Sequence, residues 1–229
     1  MAWPRGTAYF AGFRYALAHG YDYVVQMDAD LSHRPQDLPL LLEAVTRADL
    51  AIGSRNVSGG RVENWPLSRR VISKGGSVYA RAVLGIPVKG CTGGFKCFHR
   101  RALLAINLDG ITSNGFGFQV EMIYLCYRAG LRIAEAPIVF PDRTRGHSKM
   151  SYKIFAEAAA LVWRLRYRAM RGSLAVGARP SIIGVDHTPV STTVAIADAC
   201  GAPENTLTVD GIADIVHRQV PRPRIVDIA

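Results

Sequence analysis

Short apolar runs that end in polar clusters alternate along this chain with stretches of helical period. That alternation restricts the fold more than any other feature. Phe10, Phe13 and Leu17 recur at helical spacing within residues 7–19, and Gly20 supplies the stop. Tyr23-Val24-Val25-Gln26-Met27 reads as a buried strand. Pro35 suits the first turn of a second helix whose apolar stripe is Leu38, Leu41, Leu42 and Val45. Asp49-Leu50-Ala51-Ile52-Gly53 reads as another strand. Residues 67–84 read as a helix weakened in its middle by Gly75-Gly76, residues 119–129 as a helix ended by Gly130, and residues 131–140 as a strand. Strands alternating with helices predict an α/β fold with parallel elements, in which ligands bind beyond the carboxyl ends of the strands. Chemistry is therefore expected in the residues directly after Met27 and Ile52.

The 229 residues suit one domain with an appendage, and 49% hydrophobic against 20% charged residues excludes wholesale disorder. Charge divides the chain. Residues 1–171 hold 24 basic and 12 acidic residues, whereas residues 172–229 hold 4 and 6. The expected organisation is a main α/β domain over 1–150, a basic amphipathic helix over 151–171 and an unassigned tail over 172–229. The excess positive charge calls for an anionic partner: a phosphorylated metabolite, an acidic lipid surface or nucleic acid. No helix-turn-helix, zinc or RNA-binding signature accompanies it, which argues against nucleic acid. Cys91, Cys97, Cys126 and Cys200 show neither paired C-x-x-C spacing nor the density of a disulfide scaffold. The opening residues do not read as a secretory signal and no apolar run reaches membrane-spanning length, so a reducing cytoplasm is expected.

Asp28-Ala29-Asp30 leaves the first strand directly. Residues two apart on an extended chain point to one side, so two carboxylates would crowd a small volume. A divalent cation relieves that repulsion, and Mg2+ or Mn2+ accepts one or two carboxylates together with diphosphate oxygens. The alternative is that both acids are turn or capping residues; their place directly after a buried strand favours the cation. Ser32 and His33 come next and offer further contacts. The second strand runs into Gly53-Ser54-Arg55, and Arg69 and Ser73 share one face of the next helix while Arg70 is turned away. Guanidinium forks with a hydroxyl suit phosphate oxygens, so Arg55, Arg69 and Ser73 are candidate phosphate ligands and Arg70 a solvated residue. Thr92-Gly93-Gly94 suggests a close backbone approach. Glu121 reads either as a partner of a helix dipole or as part of a sugar or metal site. From Arg143 to Arg171 there are eight basic residues and one acid, with Trp163 among the apolar ones. The helix within this segment suits either an anionic membrane surface or a domain face with arginines outward.

In order and spacing, Gly6-Thr7-Ala8-Tyr9, Tyr21 through His33, Gly53-Ser54-Arg55, Asn64 through Arg70, Thr92-Gly93-Gly94-Phe95, Gly115 through Met122 and Ser148-Lys149-Met150-Ser151 resemble dolichol- or polyprenol-phosphate mannose synthases. These are inverting family-2 glycosyltransferases, and the likeness runs over residues 5–168. It implies a partial nucleotide-diphospho-sugar transferase (GT-A-like) fold with a mostly parallel sheet, plus a C-terminal tail. It further implies that Asp28 and Asp30 hold Mg2+ or Mn2+ on the donor diphosphate, with Ser32 where some members have a further metal contact. Arg55, Arg69 and Ser73 would bind the lipid phosphate, and the loop with Arg143, Arg145 and Lys149 would close over donor and acceptor. The implied reaction transfers mannose from GDP-mannose to polyprenyl or dolichyl phosphate with inversion, and Asp30, Arg55 and Lys149 would serve it most directly. The protein would sit peripherally at the cytoplasmic face of a membrane, with room for a membrane-anchoring protein partner.

The family's opening strand-loop-strand unit, with its P-x-Y-N-E and D-D-x-S segments, has no counterpart here, and residues 172–229 match nothing in it. Those two departures leave room for a non-catalytic remnant that binds lipid or a partner, and for a related polyprenyl-phosphate glucosyltransferase.

Overall fold

The computed structural model describes residues 7–28, 32–113, 115–141, 152–172, 193–198 and 207–208. The elements in chain order are α1 (Thr7–Ala18), β1 (Tyr23–Met27), a 3-10 turn leading into α2 (Leu38–Thr46), β2 (Leu50–Ser54), β3 (Arg61–Val62) and α3 (Leu67–Leu84). Next come β4 (Lys96–His99), α4 (Arg100–Ala105), α5 (Phe116–Arg128), β5 (Ile133–Pro137), β6 (Val139–Phe140), α6 (Tyr152–Met170), β7 (Thr193–Asp198) and β8 (Leu207–Thr208).

Six strands form one sheet in the order β5-β2-β4-β1-β7-β8. β5 runs parallel to β2 and β7 parallel to β1, so these four strands point the same way. β4 is antiparallel to both of its neighbours, β1 and β2. The fold is thus the expected α/β architecture around a largely parallel sheet, with β4 as the strand the hydrophobic pattern did not announce. Lys-Cys-Phe-His lacks a clean alternation because both of its faces are covered. Its reversed direction brings the loop before it, Thr92-Gly93-Gly94, to the same edge as the carboxyl ends of β1 and β2.

Period-2 alternation assigns each strand two faces. Val24, Leu50, Ile52 and Phe98 face α1 and α5 and belong to a core with Phe13, Phe118 and Met122. Val25, Ala51, Cys97, Ala134 and Ala136 face α2 and pack on Leu41 and Val45. Cys91, Cys97 and Cys126 are buried free thiols.

Three local expectations shift. Pro35 opens a 3-10 turn, and the α-helix starts at Leu38. α5 begins three residues before position 119. The run 131–140 divides into β5 and β6; β6 leaves the main sheet to pair with β3. Of the segment after Gly172, the stretches Thr193–Asp198 and Leu207–Thr208 continue the sheet beyond β1.

Candidate active site

β1 delivers Asp28 to the sheet edge, and the side chain is held from several sides. Tyr9 on α1 donates its hydroxyl to Asp28 Oδ1 at 2.9 Å, and His33 Nε2 lies 3.5 Å from Oδ2. Burial by itself would raise this carboxyl. His33, the Tyr9 hydroxyl and the nearby positive charge of Lys96 outweigh it, and the pKa falls below the ordinary aspartate value. Asp28 is therefore ionised at neutral pH. Gly94 backs directly on it: a Cβ placed there would lie 2.3 Å from Asp28 Oδ2. Only glycine leaves room for that carboxylate.

β2 ends at Ser54 and hands on Arg55. The Arg55 guanidinium donates to Ser73 Oγ at 2.8 Å and to Thr92 Oγ1 at 3.3 Å. It lies 4.8 Å from the ring centroid of Phe140 and 5.0 Å from that of Trp65, while Arg69 lies 3.9 Å from the Trp65 centroid. Local geometry explains how the indole comes to lie beside both arginines. Asn64 adopts a left-handed conformation, one that asparagine tolerates, and turns the chain so that Trp65 points inward. Pro66 then caps α3, which carries Arg69 and Ser73 on its inner face. Burial, and then the like charge of Arg69, lower the Arg55 pKa to about 10, while Asp28 opposes the shift. Two guanidiniums thus pack on one indole at this edge of the sheet.

Asp28, Arg55, Arg69, Ser73 and Thr92 line one cavity of about 360 Å³. Its polar groups gather at the sheet edge. Ile72, Gly76, Tyr79 and Ala80 of α3 and Ala158, Ala159, Leu161 and Val162 of α6 make the remaining walls chiefly apolar. α3 and α6 are joined by Tyr79, whose hydroxyl donates to the Ala159 carbonyl at 3.2 Å. α6 packs closely on α5, where a Cβ at Gly117 would lie 2.2 Å from Leu161 Cδ2.

Of the residues singled out in the sequence, Asp28, Arg55, Arg69 and Ser73 thus meet around one space. Asp30, Arg143, Arg145 and Lys149 lie outside the described residues. Arg70 donates to the Trp65 carbonyl at 3.1 Å, away from the cavity. Ser32 is buried. Glu121, for which the sequence allows two roles, is buried and accepts from the Ser113 backbone and hydroxyl and from Arg168 at 3.3 Å. It ties α6 to α5 and lies beyond the first turn of α5, so the helix dipole does not explain it. Sequence reading missed Tyr9 and Trp65 as site residues; no spacing rule connects either with a partner 19 residues away or on another element.

An ionised carboxylate exposed to the cavity, with its rotamer held by a hydroxyl, an imidazole and a glycine backbone, has the chemistry of a hard-cation ligand. Among the described residues no cluster of three or more His, Cys, Asp or Glu gathers. Among the described residues no helix is long and apolar enough to cross a membrane. Trp163, Tyr167 and Met170 nevertheless form an exposed stripe on α6, and Leu67, Val71 and Val78 another on α3. Val162, Leu165 and Ala169 on the same helix are buried in the core, so one face of the basic helix packs on the domain.

The family model described as Glycosyl transferase family 2 matches residues 4–106. An undecaprenyl-phosphate mannosyltransferase of Micrococcus luteus is 50% identical over 173 residues, covering 74% of this chain and 71% of that protein. A polyprenol monophosphomannose synthase of Mycolicibacterium smegmatis is 43% identical over 169 residues, covering 72% and 64%. A dolichol-phosphate mannosyltransferase of Pyrococcus furiosus is 36% identical over 162 residues, covering 69% and 44%. The chain therefore spans less than two thirds of the second and third relatives. Identity at this level over most of the first relative's length means that the chain belongs to glycosyl transferase family 2, within the group that these three proteins represent.

Proposed function

We propose that the chain transfers mannose from GDP-mannose to a polyprenyl phosphate, with inversion at the sugar carbon. The observation that carries this reading is the cavity itself, where a paired-guanidinium end faces Asp28 and opens into an apolar channel between α3 and α6. A polyprenyl phosphate has the same division, an anionic head on a long hydrocarbon. The names of the three relatives point to the same acceptor class.

A phosphate monoester is already anionic near neutral pH, so its oxygen attacks without a strong base. Arg55, Arg69 and Ser73 would hold that head in line with the sugar, an effect of orientation. Thr92 gives Arg55 a second hydroxyl support beside Ser73. The heavier demand is the charge that builds on the departing diphosphate. A Mg2+ or Mn2+ ion held by Asp28 and Asp30 would neutralise that charge as a Lewis acid. Arg143, Arg145 and Lys149 are the residues we assign to closing over the donor. The exposed stripes of α3 and α6, flanked by arginines, would rest on the cytoplasmic face of an anionic membrane and present the channel to its lipid.

Radiolabelled GDP-mannose, a short polyprenyl phosphate and folded protein test the reading. Transfer should require Mg2+ or Mn2+, stop with EDTA and be abolished by Asp30→Ala. UDP-glucose in place of GDP-mannose identifies a glucosyltransferase. No transfer from either donor at saturating Mn2+ would refute the proposal and leave a lipid-binding remnant.

A further inference from the structure

Lys96 has no exposed surface, yet its amino group reaches only neutral oxygens: the Gly93 carbonyl at 2.6 Å and Gln119 Oε1. An amine buried with only neutral hydrogen-bond partners costs free energy that a methionine or leucine in the same strand would avoid, even with the Asp28 charge acting on it through space. The cost is visible in its pKa, which burial drives down to about 7. The surroundings indicate what the amine achieves. In the β1–β4 ladder Gln26 stands opposite Lys96, and the same register carried two residues further sets Gly94 opposite Asp28. Gln119 Oε1 accepts from Lys96 and from Gln26 Nε2 at 2.8 Å, joining α5, β1 and β4 at one point.

The turn before β4 is held at both ends. At its start the buried Glu135 carboxylate accepts from the Lys89 and Gly90 backbone N–H groups at 2.8 and 2.6 Å. At its end Lys96 holds the Gly93 carbonyl. Between these anchors Gly94 rests against the Asp28 carboxylate with no space for a Cβ.

We propose that Lys96 is a positioning residue: by holding the Gly93 carbonyl and Gln119 together under the sheet edge, it presses the Gly94 backbone against Asp28 and fixes the direction in which that carboxylate meets a divalent cation. The inference rests on the reading of Asp28 as a cation ligand. It adds a polar support on the α5 face of the sheet that touches neither substrate nor cation. Groups that orient a metal ligand typically change affinity by about 10- to 100-fold when removed.

The test is Mn2+ titration of the full chain, with free Mn2+ read by electron paramagnetic resonance, for the wild type and for Asp28→Asn, Lys96→Met and Gly94→Ala. Circular dichroism and urea unfolding establish which variants are folded. Asp28→Asn should lose binding, and Lys96→Met should weaken it by about tenfold or more while folded. A structural role alone would lower the urea midpoint and leave the Mn2+ affinity of the folded protein unchanged. Gly94→Ala disturbs the same contact with the lysine intact, and decides the matter should Lys96→Met not fold; it should weaken Mn2+ to a similar extent. Wild-type affinity in the folded variants overturns the positioning role while leaving the cation reading in place. A wild type that binds no Mn2+, or an Asp28→Asn variant that binds it equally, overturns the cation reading and this inference with it.

Discussion

Replacing Arg55 by methionine removes its charge while keeping most of its length, and the structure sets opposite expectations for stability and for binding. Lowering the guanidinium from its ordinary value to about 10 corresponds, at about 1.4 kcal/mol per pKa unit, to about 3 kcal/mol borne by the charged form. Against this stand hydrogen bonds to Ser73 and Thr92 and the faces of Trp65 and Phe140, at roughly 1 kcal/mol each. The two sides nearly cancel, so the variant should unfold within about 1 kcal/mol of the wild type. Binding of an anion does not cancel. A charge-assisted hydrogen bond to phosphate contributes about 1.5–3 kcal/mol, so the affinity for polyprenyl phosphate should fall by about ten- to a hundredfold. Urea unfolding followed by tryptophan fluorescence measures the first quantity. Isothermal titration with a short-chain polyprenyl phosphate below its micelle concentration measures the second. A variant that unfolds several kcal/mol more easily but binds the acceptor as the wild type does would refute the reasoning and make Arg55 a strut.

Other perturbations separate the remaining roles. Trp163 is 59% exposed, so Trp163→Ala should leave stability within about 0.5 kcal/mol. It should also reduce partitioning onto phosphatidylglycerol vesicles by about tenfold, the lower end of what burying a large apolar side chain contributes; unchanged flotation would remove α6 from the membrane contact. Gly117→Ala forces a methyl into Leu161 and should cost about 1–3 kcal/mol in urea unfolding. Gly75→Ala, with nothing within 4 Å, should instead stabilise α3 by about 0.5–1 kcal/mol. The folded pKa of Lys96, about 7, lies below its ordinary value of 10.5, so between these values the unfolded chain binds the additional proton. Wild-type stability measured against Lys96→Met should therefore rise as pH increases from about 7 to 10 and level off on either side, whereas a flat difference would contradict the assigned burial.

Much of the fold could be read from periodicity because the relevant information is local. β1, β2 and α2 each bury one face or both, and their residues record that burial directly. β4 escaped because its strand contains a buried lysine and a histidine, and the burial of Lys96 depends on partners from α5 and the turn before it. The division of residues 131–140 was hidden for a related reason. The run is largely apolar on both sides of Pro137, and only the pairing of β6 with β3 ends the strand there.

Asp28, Arg55, Arg69 and Ser73 were identified as candidates from residue type and from position after a strand or on a helix face. That selection needs only the chain's order, since a strand's carboxyl end and a helix's i,i+4 face are defined by sequence spacing. Whether such groups share a space depends on strand order, which spacing does not encode. The antiparallel insertion of β4 between β1 and β2 carries Thr92 and Gly94 to the edge where Arg55 and Asp28 emerge, and the turn at Asn64 places Trp65 beside both guanidiniums. The amino-acid sequence alone determined which groups stand ready for anion and cation chemistry. Tertiary structure decided that they meet, how Asp28 is kept ionised and which apolar walls lead to them, because each of those properties arises from contacts between residues that no local rule brings together.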